Sequence, residues 1–150
     1  MNKRNLFASL ATLAAFAFSA SALSQTAPQG MTSKASQPSR LVIQVSDAEP
    51  AKWNLALNNA RNVQEELGAK NVEIEIVAYG PGLGMLKKDA VTSGRVDEAT
   101  LAGIKVVACE NTMRNLKLTR ADIHAAASYA PSGVVQLMQR QSQGWSYIRP

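Results

Sequence analysis

The sequence predicts an α/β protein, a three-layer α/β/α sandwich around a mostly parallel sheet, and three observations predict it. Short runs of apolar, β-branched residues alternate along the chain with stretches whose apolar residues step by three or four. The runs at 41–45 and 104–108 are nearly continuously apolar, as strands buried on both faces require. Glycine or proline stands at most junctions between the two patterns, at Pro50, Gly68, Gly80 and Gly103. Repeated strand-helix units bury their apolar surfaces best when helices cover both faces of one sheet.

The first strand is Leu41-Val-Ile-Gln-Val45. Pro50 then fits the first turn of a helix, with Asp47 and Glu49 near its positive end. Trp53, Ala56, Ala60, Val63 and Leu67 define one apolar face of that helix, and Gly68 stops it. Val72-Glu-Ile74-Glu-Ile76 alternates strictly and continues to Tyr79, which places this strand nearer the edge or flanked by solvent at its start. Glu73 and Glu75 then lie on a solvated strand face. Residues 92–101 form a second helix, and 104–108 form the best candidate for a central strand. Residues 111–118 read as a short helix, and Thr119-Arg-Ala-Asp122 resembles a capping box with Asp in place of Glu. A weak strand follows at 126–130. Ser132 caps a helix over 133–143, and Trp145-Ser-Tyr-Ile148 makes a last short strand.

Ahead of this domain the chain carries an address. Lys3 and Arg4 form a positive segment, residues 6–18 an apolar core, and Ala20-Ser21-Ala22 a small-x-small cleavage pattern. Residues 1–22 therefore read as a signal peptide cleaved after Ala22, with an uncleaved anchor as the alternative. No cysteine follows the cleavage site to carry a lipid, and no later stretch approaches the ~20 apolar residues of a membrane span. The expected location is periplasmic, with no membrane span in the mature protein. Residues 23–39, rich in Ser, Gln, Thr and Pro, read as a disordered linker, and 40–150 as one folded domain. Removing Lys3 and Arg4 lowers the net charge from +5 to +3. The remaining basic residues are scattered without interleaved aromatics, which argues against nucleic-acid binding.

Three places can carry chemistry. Cys109, the only cysteine, closes the third strand; an exported chain with one cysteine makes no internal disulfide. Its thiol is either a small buried hydrophobe or a reactive group at a helix amino terminus, where the dipole favours a thiolate. The second place is Gly80-Pro-Gly82-Leu-Gly84, after the second strand. It is either a tight turn leading off the sheet edge or a loop presenting amides to an anion; the spacing is not a dinucleotide fingerprint. Both segments follow parallel strands, so both belong at the carboxyl edge of the sheet. There Gly80, Gly82 and Gly84 form one wall of a pocket, and Asn111 and Thr112 offer polar contacts beside the sulfur. The third place is the polar face of the first helix, Asn54, Asn58, Arg61 and Asn62, which either meets another subunit or faces water. His124 is the only histidine, no cluster has metal-ligand spacing, and no cofactor is implied.

Five segments together carry a resemblance. They are Leu41-Val-Ile-Gln-Val-Ser46, Leu57-Asn-Asn-Ala-Arg-Asn62, Ile76-Val-Ala-Tyr-Gly-Pro-Gly82, Val106-Val-Ala-Cys-Glu-Asn-Thr-Met113 and Tyr129-Ala-Pro-Ser-Gly-Val134. The chain from Leu41 onward resembles the DsrE/DsrF-like family, in particular its small exported members of unassigned function. The resemblance implies a parallel five-stranded sheet between helices and a homo-oligomer. In sulfur-relay members a cysteine after the third strand carries sulfur as a persulfide, and Cys109 stands at that place, which implies a sulfur donor or acceptor protein as partner. The alternative is a non-catalytic homo-oligomer that binds a small ligand over residues 80–84, with Cys109 as packing.

Overall fold

The computed structural model describes residues 37–150; the signal peptide and most of the linker expected from the sequence lie outside them. Five parallel strands form one sheet: β1 (Ser39–Val45), β2 (Val72–Ala78), β3 (Lys105–Cys109), β4 (Ser128–Ala130) and β5 (Ser146–Ile148), in the order β4-β3-β2-β1-β5. The helices are α1 (Pro50–Leu67), α2 (Ser93–Leu101), α3 (Glu110–Asn115) and α4 (Gly133–Ser142). The sheet is entirely parallel. No described helix is long and apolar enough to cross a membrane.

The two faces of the sheet are unequal. On the first, Leu41, Ile43 and Val45 of β1, Ile74 and Ile76 of β2 and Val106 of β3 pack against Trp53, Ala56, Leu57 and Ala60 of α1 and Val96 of α2. On the second, a smaller cluster of Val42, Val77, Val107 and Ala130 packs against Leu137 of α4 and Trp145. The chain builds β1 to β4 in one direction across the sheet, then crosses back to lay β5 beside β1. A right-handed crossover in the reverse direction places its helix on the opposite face, which is why α4 stands apart from α1 and α2.

Several expectations are corrected here. The second strand is not near an edge: β2 is the central strand, between β3 and β1. Glu73 at its start is exposed, as expected, but Glu75 is buried at 1% exposure and not solvated. The carboxylate accepts from Arg140 at 2.6 and 3.1 Å and from Gln136 at 2.7 Å, and Arg140 stacks over Trp145 at 4.7 Å. The asparagines of α1 do not merely face water, because Asn54 and Asn58 accept from Arg95 of α2 at 2.6 and 2.7 Å. Residues 80–84 are no tight turn; they open a 3-10 helix, Gly80–Leu86, whose Leu83, Met85 and Leu86 enter the core. Ser132 sits at the amino end of α4 without a side-chain hydrogen bond to it. The capping box does form, with the Asp122 carboxylate accepting from the Thr119 N–H at 2.7 Å.

Candidate functional site

β3 and β4 are neighbours in the sheet, in register with Cys109 opposite Ala130. The helices that follow them part to opposite faces: α3 turns Met113 into the first-face core, α4 turns Leu137 into the second. Adjacent parallel strands whose chains leave on opposite sides open a crevice at their carboxyl ends, the usual place for ligands in such sheets. Cys109 is the last residue of β3 and the cap of α3, and its side chain lies in that crevice at 4% exposure.

The sulfur is surrounded by donors. The Gly133 N–H, first in α4, points to Sγ at 3.1 Å. From the α3 side come the Thr112 hydroxyl and backbone N–H, while the Asn111 N–H is taken by the Pro131 carbonyl at 3.1 Å. Thr112 is itself oriented, since its Oγ1 accepts the Gly80 N–H at 2.9 Å and its own proton is left to donate toward sulfur. Burial pushes the Cys109 thiol up, but the Thr112 hydroxyl, then the Thr112 and Gly133 amides, outweigh it, and the thiol settles below its ordinary value. These donors stabilise a sulfur anion where two helix amino ends converge. The neighbouring Glu110 carboxylate is offset by Arg120 at 2.9 Å, and Arg120 in turn lies over the Tyr129 ring at 4.3 Å.

The predicted residues divide. Gly80, Thr112 and Cys109 form one hydrogen-bonded line, and Asn111 borders it with its N–H bound to the Pro131 carbonyl at 3.1 Å. The Asn111 side chain is turned away, accepting from Arg114 at 3.1 Å. Gly82 and Gly84 face packing instead of sulfur. A side chain on Gly82 would run into the Val45 carbonyl, and one on Gly84 would meet the Trp53 ring at 2.9 Å. Gly80, with φ +52 and open space around its α-carbon, is the one glycine of the three that needs left-handed backbone. Gly80, Pro81, Thr112, Asn115 and Leu116 line a shallow, mostly apolar depression of about 390 Å³ next to the crevice.

Gly133 is the residue that sequence reasoning missed. Its hydrogen bond spans 24 positions, and its α-carbon is held so close to Tyr79 that a Cβ would stand 2.9 Å from the Tyr79 Cβ. The segment Pro131-Ser-Gly133 after a weak strand was the available signal. His124 makes no couple with Cys109: its Nε2 lies 3.3 Å from Asp97 and its Nδ1 accepts the Ala126 N–H. Among the described residues no group of three or more His, Cys, Asp and Glu is arranged to hold a metal.

A family model described as the DsrE/DsrF-like family matches residues 40–150. A solved protein of unknown function from Methanobacterium thermoautotrophicum is similar at 35% identity, with a TM-score of 0.72, over 75% of this chain and 99% of that one. A conserved protein of unknown function from Bacteroides thetaiotaomicron shares the fold at 15% identity and a TM-score of 0.59, over 74% of this chain and 94% of its own. Comparison with curated proteins gave no match. With the family match spanning the whole sheet and both helical layers, the chain belongs to the DsrE/DsrF-like family.

Proposed function

We propose that this protein is an exported sulfur or thiol carrier whose working group is Cys109. The observation that carries the reading is the Gly133 N–H aimed at Sγ at 3.1 Å from the start of α4, with the Thr112 donors on the α3 side, an arrangement that favours the thiolate in the crevice between β3 and β4. A thiolate is the nucleophile that sulfur transfer needs. The Cys109 thiolate attacks the outer sulfur of a donor persulfide, forming a new S–S bond as the donor S–S bond breaks and the donor leaves as thiolate. Cys109 then holds the persulfide until an acceptor thiolate takes its outer sulfur by the same exchange, with no net oxidation. Membership of a family linked to sulfur relay supports this role. The amino-terminal charge, apolar run and Ala20-Ser21-Ala22 support export to the periplasm.

A second reading is favoured by the low exposure of the thiol: Cys109 is packing, and the protein is a non-catalytic homo-oligomer that binds a small ligand beside residues 80–84. Val134, Val135 and Met138 on the outer side of α4, at 49%, 49% and 63% exposure, support self-association under either reading. Mass spectrometry of protein purified without reductant separates the two. The carrier reading expects a fraction heavier by one sulfur atom, lost on reduction and absent in Cys109→Ser. Native protein that carries no such fraction, takes none up from a small persulfide and resists alkylation until unfolded would leave the second reading standing.

A further inference from the structure

The amide that α4 brings to Cys109 depends on where α4 lies, and α4 has few holds on the sheet. Only Gly133 and Leu137 of the helix are buried. It runs back along β2, with its first residue against Tyr79 at the carboxyl end and its second half over Glu75. Glu75 is the strongest polar hold: one carboxylate takes Nε and Nη2 of Arg140 and Nε2 of Gln136. An ion pair at this burial is a weak source of net stability and a strong source of register, because displacing either partner leaves a charge without compensation.

Resting on the carrier reading of Cys109, we propose that Glu75 and Arg140 are a positioning pair that sets α4 lengthwise on the sheet so that the Gly133 N–H meets the sulfur. Neither residue touches the sulfur. Glu75 pairs in register with Lys105, and Cys109 lies four positions further along β3, roughly 13 Å at strand rise. At that separation the opposite charges of Glu75 and Arg140, 2.6 Å apart, largely cancel at the sulfur, so the pair acts on the thiol through the place of α4.

Glu75→Gln tests this with a built-in sign. Removing a negative charge would by Coulomb's law lower the thiol titration. Loosening α4 raises it, because the glutamine offers Arg140 one acceptor and one opposing donor in place of two acceptors. In the full chain at 0.1 M salt, the thiolate absorbance of Cys109 is followed against pH, with hydrogen exchange at Gly133 measured alongside. The expected result is a titration raised by about one unit, about tenfold less thiolate at a pH below it, with faster exchange at Gly133. Arg140→Lys keeps the charge but loses the fork; it should shift the titration the same way by less, and it serves if Glu75→Gln does not fold. A folded variant whose titration is unmoved or lowered overturns the proposal. The absorbance readout does not need sulfur loading, so a wild type that carries no sulfur sinks the carrier reading while a shift in Glu75→Gln still upholds the positioning role.

Discussion

Replacing Thr112 with Val keeps the shape of the side chain and removes the hydroxyl that links Gly80 to the Cys109 sulfur. A hydrogen bond to a charged group contributes about 1.5–3 kcal/mol. At about 1.4 kcal/mol per unit, losing it should raise the thiol titration by roughly one to two units. The part-buried Gly80 N–H also loses its acceptor, which costs about 1 kcal/mol of stability. Thr112→Ser retains the hydroxyl and should titrate close to wild type. The pH dependence of the iodoacetamide rate on native protein reads the shift. Stability carries a second signature. The folded thiol titrates below the unfolded value, so between the two the unfolded chain binds more protons and stability rises with pH. The contribution is full above the unfolded value of about 8.5 and is lost as pH falls through the folded one. Wild type should therefore gain stability over Thr112→Val as pH rises through that window. A folded Thr112→Val whose thiol titrates as in wild type, with a pH-independent stability difference, would refute the assignment of Thr112 as a donor to sulfur.

Gly82→Ala should cost about 3 kcal/mol or more in urea melts, because its new carbon meets backbone at the end of β1; Gly94→Ala, with open space around it, should cost nothing measurable. Cys109→Ser should melt within about 1.5 kcal/mol of wild type, since a serine oxygen can still accept from Gly133, and should abolish persulfide loading. Amino-terminal sequencing of protein from the exported fraction should begin at Leu23; Met1 on membrane-bound material would overturn the export reading. Light scattering at tens of micromolar should give a mass above that of one chain, and Val135→Lys or Met138→Lys should lower it; a monomeric wild type would remove the oligomer from the account.

The fold was legible where the pattern is local. The apolar runs of β1 and β3 and the three-to-four spacing of Trp53, Ala56 and Ala60 each report burial of a single element, and each element formed. Strand order was not legible, because it depends on which strands pair, and the polar alternation of β2 pointed to the wrong place. Glu73 and Glu75 look alike in sequence; Arg140, 65 positions away from Glu75, makes one of them an interior residue. The Asn residues of α1 were opaque for the same reason, since Arg95, which donates to Asn54 and Asn58, lies on another helix.

The site divides along the same line. A cysteine after an apolar strand, three residues before a threonine and ahead of a helix, marks a sulfur with local donors, and residues 109–112 supply them. Whether such a sulfur ionises is a contest between burial, which opposes the anion, and the number of donors that reach it. The hydroxyl and amide of Thr112, at one helix start, are what the local sequence offers. The third donor, Gly133, arrives only because β4 pairs with β3 and the chain then turns back over the other face. The same turn places α4 over Glu75. The topology that buries the thiol thus also delivers the donors that offset its burial, and a carrier cysteine needs both: cover for a labile outer sulfur and an anion ready to accept it.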